Sequence, residues 1–350
     1  MDLSPLSRRG FLAAASLLGL RVGYGLEGVS SAIEQATAAP KGRKPEVRTA
    51  GIRMVPVAGK YRVWTKRVEP CRRPLAGPPK ILTLHGGPGA THEYLECFED
   101  FLPQRGIEYY YYDQLGSAYS DQPDDPTLWT VERFREEVEQ VRAGLGLEDF
   151  YLYGQSWGGL LAIEYALKYQ KHLKGLIVSN MVGSWASYVD YVKELRRELP
   201  PAAIRVLEEY EAKQQYEAPE YQEVLMKELY RKRICRLDPW PEPVERAFRH
   251  LNPQVYNTMQ GPSEFVPTGN LKSWNRWKDL HAIRVPTLLS VGRYDEMRVA
   301  DVQKMGTLMP RARVSVCEQG SHFSMWDDQE AYFQALTGFV ESVERQSAQS

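Results

Sequence analysis

Three residues far apart in the chain have the types that acyl transfer by a serine requires: Ser156 in GQSWGG, Asp295 in GRYDE and His322 in GSHFSMW. A serine hydroxyl is a weak nucleophile at neutral pH. An imidazole must take its proton, and a buried carboxylate must fix the imidazole's tautomer and stabilise its cation. Residues 154 to 159 fit G-x-S-x-G, the pattern of a sharp strand-to-helix turn that pushes a serine hydroxyl out of a sheet. Alone, that pattern would occur by chance in about a tenth of chains this long. Its weight comes from the order of the partners, an acid after a later strand and then a histidine after the next. His322 is the one histidine beyond Asp295, and it follows the strand-like run ARVSVCEQ in a loop containing glycine. A tetrahedral intermediate also needs backbone donors, each worth about 2.7 to 4 kcal/mol of transition-state stabilisation. HGGPG at 85 to 89 offers the N–H of Gly87, unobstructed by a side chain, and the N–H of Trp157 after the nucleophile offers the second. His85 reads as structural, because the triad already has its base.

The elements that would position these groups are visible as alternating apolar runs and amphipathic segments from Lys80 onward. This is the pattern of an α/β fold, a mostly parallel sheet with helices on both faces. KILTLHGGPG and IEYYYYDQLGS read as strands running into glycine loops, and VERFREEVEQVRAGLGL as a charged helix closed by glycines. DFYLYGQSWGG is a strand into a turn, LLAIEYALKYQ its helix and LKGLIVSN the next strand. From about Met181 to Leu280 the strand pattern gives way to polar, tyrosine-rich helical stretches such as YVKELRREL and YQEVLMKELYRKRI. We read residues 181–280 as a helical cap inserted between two core segments, 39–180 and 281–350. Strands resume with VPTLLSVG and ARVSVCEQ, and a helix from about Gln329 to Val343 closes the chain.

Residues 1–38 form a different kind of sequence. Arg8 and Arg9 precede a short apolar run, FLAAASLLGL, far below the roughly 20 residues needed to span a bilayer. The paired arginines and the small residues Ala36-Thr37-Ala38 resemble a twin-arginine export signal with its cleavage site, so a periplasmic or secreted mature protein with no stable membrane span is expected. Of the 350 residues, 44 are Lys or Arg and 45 are Asp or Glu, with no long basic run, so no nucleic-acid partner is expected. Cys71, Cys97, Cys235 and Cys317 are widely spaced and make no metal-like cluster with the six histidines; neither a metal nor another cofactor is expected.

Taken together, HGGPG, DQLGSAYSDQP, GQSWGG, GPSEF, GRYDE and GSHFSMW resemble the proline iminopeptidase family of α/β-hydrolases, most closely its tricorn-interacting aminopeptidase branch. The likeness runs from about Gly51 to Val343. It implies an α/β-hydrolase fold whose helical cap roofs the active site, and two glutamates that bind the substrate's free α-amino group. By motif position these are Glu264 in GPSEF and Glu296 beside the triad aspartate. Asp295 would then face His322 while Glu296 points the other way, into the cavity. One loop departs from the family pattern: Ala118 and Tyr119 follow Ser117, although Asp113 and Gln114 are kept. The implied activity is a serine exopeptidase releasing an N-terminal residue, proline or a broader hydrophobic set, from a peptide through an acyl-enzyme. An amidase acting on amino acid amides shares the same amine clamp, and a carboxylesterase-type hydrolase remains open if Glu264 and Glu296 do not converge. An epoxide hydrolase or dehalogenase would need a carboxylate where Ser156 stands. A non-catalytic binding protein would be expected to lack part of the triad or the oxyanion glycines.

Overall fold

The computed structural model describes residues 49–75 and 77–349. The export segment expected at residues 1–38 lies outside them.

Among the described residues, eight strands form one sheet in the order β1-β2-β4-β3-β5-β6-β7-β8. These are β1 (Ile52–Val57), β2 (Tyr61–Val68), β3 (Lys80–Leu84), β4 (Glu108–Asp113), β5 (Phe150–Gln155), β6 (Leu173–Ser179), β7 (Thr287–Gly292) and β8 (Ala312–Cys317). From β4 to β8 every neighbouring pair is parallel, whereas β2 runs antiparallel to both β1 and β4. Every residue of β4, β5 and β7 is buried. Successive strand residues point to opposite faces, so both faces of the central sheet are covered. The hairpin of β1 and β2 is an addition to the sequence reading. It is half exposed, mixes charged with apolar residues and carries Pro56, which an edge strand tolerates.

The core helices are α1 (Val131–Leu145) and α2 (Trp157–Tyr169), with others named below in chain order. Thr130 starts α1 by accepting from the Arg133 N–H, and Gly146 ends it in the left-handed region at φ +67°. Between β6 and β7 the described chain is helical: α3 (Trp185–Arg197), α4 (Pro201–Ala212), α5 (Pro219–Leu225), α6 (Glu242–Arg249) and α7 (Pro253–Met259). Prolines open α4, α5 and α7, where a missing N–H costs nothing. α5 runs on into a π-helical stretch, Met226–Ile234. α8 (Val299–Leu308), the short α9 (Ser324–Asp327) and α10 (Gln329–Ser347) complete the chain.

Two of the ties between the helical insert and the core bear on the site. α6 packs on the segment His92–Asp100, where buried Glu93 accepts from His250 Nδ1 at 2.8 Å and from Tyr119 at 3.0 Å, and pairs with Arg246 at 3.1 Å. At the end of the π-helical stretch, the carbonyls of Arg233 and Ile234 accept from the N–H groups of His322 and Phe323, both at 2.8 Å. No helix among the described residues is long and apolar enough to cross a membrane.

Candidate active site

Ser156 directly follows β5 and caps α2 with φ +56° and ψ −126°, a backbone conformation rare for a residue with a side chain. The turn closes only because Gly158 lacks a Cβ: one built there would stand 2.1 Å from the Leu84 carbonyl oxygen. Close approach of helix to strand holds the serine at the head of α2, where the Trp157 N–H has no intrahelical acceptor. Gly87 lies in the loop after β3 at φ +105°, and a Cβ there would meet the Ala90 nitrogen at 2.6 Å. The structure therefore brings Gly87 and Ser156 to one cavity, which Glu264 and His322 also line. Its other walls are apolar, with Tyr94, Ile234, Ala247, Phe248, Leu251 and Phe323 contributing.

His322 Nδ1 donates to Asp295 Oδ1 at 2.8 Å, which leaves Nε2 unprotonated in the neutral ring. Asp295 is 1% exposed and is held further by the Met297 N–H at 3.0 Å and by Asn180 Nδ2, which donates to Oδ2 at 2.6 Å. Burial disfavours the His322 cation, but the Asp295 charge and its hydrogen bond prevail, so the ring's pKa stands above its ordinary value. His85 has the opposite setting. Burial lowers its pKa, Nδ1 donates to the Gly86 carbonyl, and Nε2 accepts from the Gln114 N–H, an inert role in the wall of the site.

The two glutamates converge, in a manner the sequence reading did not describe. Glu296 does not point away from the histidine: its Oε1 stands 3.8 Å from Nε2, so Asp295 and Glu296 address opposite nitrogens of one ring. It is 0% exposed, and neither of its carboxylate oxygens has a hydrogen bond of ordinary geometry among the described residues, although the Tyr188 hydroxyl and the Glu264 carboxyl stand close enough to act on its titration. Consecutive residues reach one ring because the chain turns sharply after β7, where extended-strand alternation no longer applies. Burial first, then the charges of Glu264 and Asp295, push the Glu296 pKa well above the ordinary carboxylate range. Burial also raises that of Glu264, although the positive charge available on His322 and several hydroxyls oppose the shift. Glu264 accepts from Tyr256 at 2.8 Å, from Gln260 at 3.0 Å and from Tyr188 at 3.4 Å, while its own N–H donates to the Tyr230 hydroxyl at 3.4 Å. No Lys or Arg pairs with either glutamate among the described residues.

Sequence reasoning did not find these cap hydroxyls, nor Asn180, nor the bracket around the oxyanion loop. In that bracket the Gly86 N–H donates to the Tyr94 hydroxyl at 2.5 Å, Tyr94 donates to Gln155 Oε1 at 2.8 Å, and Gln155 Nε2 donates to the His322 carbonyl at 3.1 Å. The available signal was slight: Gln155 is one of the two variable residues inside G-x-S-x-G.

Comparison with known proteins bears on the family. Residues 79–329 match the family model described as the alpha/beta hydrolase fold. A proline iminopeptidase of Flavobacterium johnsoniae is 44% identical over 297 residues, 83% of this chain and 98% of the relative. Among solved structures, VinJ superposes with a TM-score of 0.79 at 34% identity, covering 83% of this chain and 98% of its own. A proline iminopeptidase from Mycobacterium smegmatis gives 0.78 at 27% identity, covering 85% and 99%. With the strand-to-helix serine turn, the buried histidine–aspartate pair and this extent of identity, the chain belongs to the proline iminopeptidase family of α/β-hydrolases.

Proposed function

We propose that the protein is a serine aminopeptidase that releases an N-terminal residue, proline in the first place, from peptides through an acyl-enzyme. The observation that carries this reading is the Glu296 carboxylate, buried beside Glu264 without a hydrogen bond of ordinary geometry among the described residues. Two acids closed together without a Lys or Arg want a cation, and a peptide's N-terminal ammonium supplies one next to the bond to be cut. The apolar walls around Phe248 and Phe323 suit a proline ring.

In this reading His322 Nε2 takes the Ser156 proton as Oγ attacks the first carbonyl carbon, and the oxyanion forms against the N–H groups of Gly87 and Trp157. The imidazolium, stabilised by Asp295, gives its proton to the departing amine. Water then attacks the ester by the same route in reverse, and the free amino acid leaves. The ammonium anchor fixes which carbonyl meets Ser156: the clamp admits nothing ahead of the first residue.

Glu296→Gln tests the clamp directly. It keeps shape and removes a charge, and breaking a buried pair from one side costs about 3 to 5 kcal/mol, softened here by the remaining glutamate. We expect roughly a hundredfold loss in kcat/KM on prolyl p-nitroanilide and little change on an acyl ester without an amine. Equal loss on both substrates would remove the amine anchor from the scheme.

The pH profile follows from the same groups. His322 must be neutral to act as base, and its pKa is raised, so activity should fall as pH drops through a value above about 6.5. With the prolyl substrate, protonation of Glu296 and Glu264 acts in the same direction, because only their anions hold an ammonium. An alkaline limb from the substrate amine, near pH 8 for an ordinary α-amine, should vanish with the ester. A kcat/KM limb on the ester at or below about pH 6 would contradict the stabilised imidazolium.

A further inference from the structure

Asn180 is the first residue after β6 and has a left-handed backbone at φ +55°. Asparagine tolerates this region better than most side-chain-bearing residues. Its N–H donates to the Ser290 carbonyl of β7 at 2.8 Å, which fixes the backbone between two central strands. The side chain is fully buried. Its Nδ2 donates to Asp295 Oδ2 at 2.6 Å and to the Ser321 carbonyl at 3.2 Å. Asp295 belongs to the loop after β7, and Ser321 directly precedes His322 in the loop after β8. One amide group therefore holds both loops whose side chains meet at His322 Nδ1.

The amide is itself locked against flipping. Its Oδ1 accepts from the Ser179 hydroxyl at 2.5 Å, Ser179 accepts from Tyr332 at 3.0 Å, and Tyr332 bonds Tyr153 at 2.6 Å. Reversing the amide would set an NH2 against the Ser179 hydroxyl and an oxygen against two acceptors. The chain of buried groups runs from strand β5 and helix α10 to the far side of the Asp295 carboxylate.

We propose that Asn180 is a positioning residue for the acid–base pair. It sets the rotation of the Asp295 carboxylate so that Oδ1 meets His322, and it keeps the histidine loop at that distance. The proposal rests on the reading of Asp295 as the acid of the triad. Without the amide, Oδ2 is a buried acceptor with no donor, and the carboxylate can turn. The lost donor also concentrates the carboxylate's charge toward His322, so the imidazolium persists to higher pH.

Two variants separate these effects from general damage. Asn180→Gly keeps the left-handed backbone and removes the amide. Asn180→Asp keeps the shape and backbone preference but sets a second carboxylate oxygen, in place of the donor, against Oδ2 and the Ser321 carbonyl. Both should lower kcat roughly ten- to a hundredfold on prolyl p-nitroanilide and on an amine-free ester alike, with KM little changed. Both should also move the acid limb of kcat/KM to higher pH. Unaltered turnover and an unmoved limb would overturn the proposal. A fall in kcat with the limb unmoved and a lowered Tm would overturn it equally, since that is the signature of a packing residue. If Asn180→Gly does not fold, Asn180→Asp decides alone. Ser156→Ala run alongside distinguishes the two levels: turnover in that variant sinks the triad reading, whereas an inactive Ser156→Ala beside unaffected Asn180 variants removes only the positioning role.

Discussion

Ser156→Ala should lower kcat on the order of a millionfold, to a residue of catalysis from binding and the oxyanion donors alone. No other step can replace the bond that Oγ forms, because among the described residues no second serine, threonine or cysteine lines the cavity. The variant should stay folded. Alanine at φ +56° is strained to about the degree that serine is, and Gly158, whose missing Cβ allows the turn, is untouched. The measurement is steady-state hydrolysis of prolyl p-nitroanilide with a freshly purified variant, checked by circular dichroism and thermal unfolding. Hydrolysis at more than about a thousandth of the parent rate in a folded sample would reject Ser156 as nucleophile.

The second large effect is expected from Asp295→Asn, about ten-thousandfold in kcat. Asp295 presents acceptors in three directions, to His322, to the Met297 N–H and to Asn180. An amide has one oxygen. If that oxygen stays on His322, its new NH2 stands against the Asn180 NH2; if the NH2 turns to His322, the ring must move its proton to Nε2. The first outcome loses the bond to Asn180 and sets two donors against each other, and the second gives a tautomer that cannot take the serine proton. The loss should be the same on prolyl and amine-free substrates, in contrast to Glu296→Gln. A loss confined to substrates with a free amine would show that Asp295 serves binding, and the acid of the triad would have to be sought elsewhere.

These two residues were legible in the sequence because the turns that carry them are local. Around Ser156, a buried strand, two glycines and a helix start are all written within twenty residues of chain, roughly the span of one strand–turn–helix unit. Asp295 and His322 each follow a strand, and strand order in a parallel sheet brings such loops to one edge. The hydroxyls around Glu264 had no such local signature. Tyr188, Tyr230 and Tyr256 come from α3, the π-helical stretch and α7, and a tyrosine on an amphipathic helix reads alike whether its hydroxyl meets water or a buried carboxylate. Asn180 looked like the end of a strand, because its role depends on a backbone angle and on a loop more than a hundred residues away, 115 by position. The placement of Glu296 was also beyond the pattern. Adjacent residues alternate sides in a strand, but the turn after β7 lets both carboxylates reach the same imidazole.

The bonds from the Arg233 and Ile234 carbonyls to the His322 and Phe323 amides bear on how enzymes of this architecture can be recombined. A helical insert between two core segments invites exchange for another, with the sheet and its loops left alone. Here the insert furnishes the two acceptors that hold the backbone N–H groups of His322 and Phe323. A chimera with a foreign insert must reproduce the end of that π-helical stretch, or the transplant will alter the catalyst along with the selectivity.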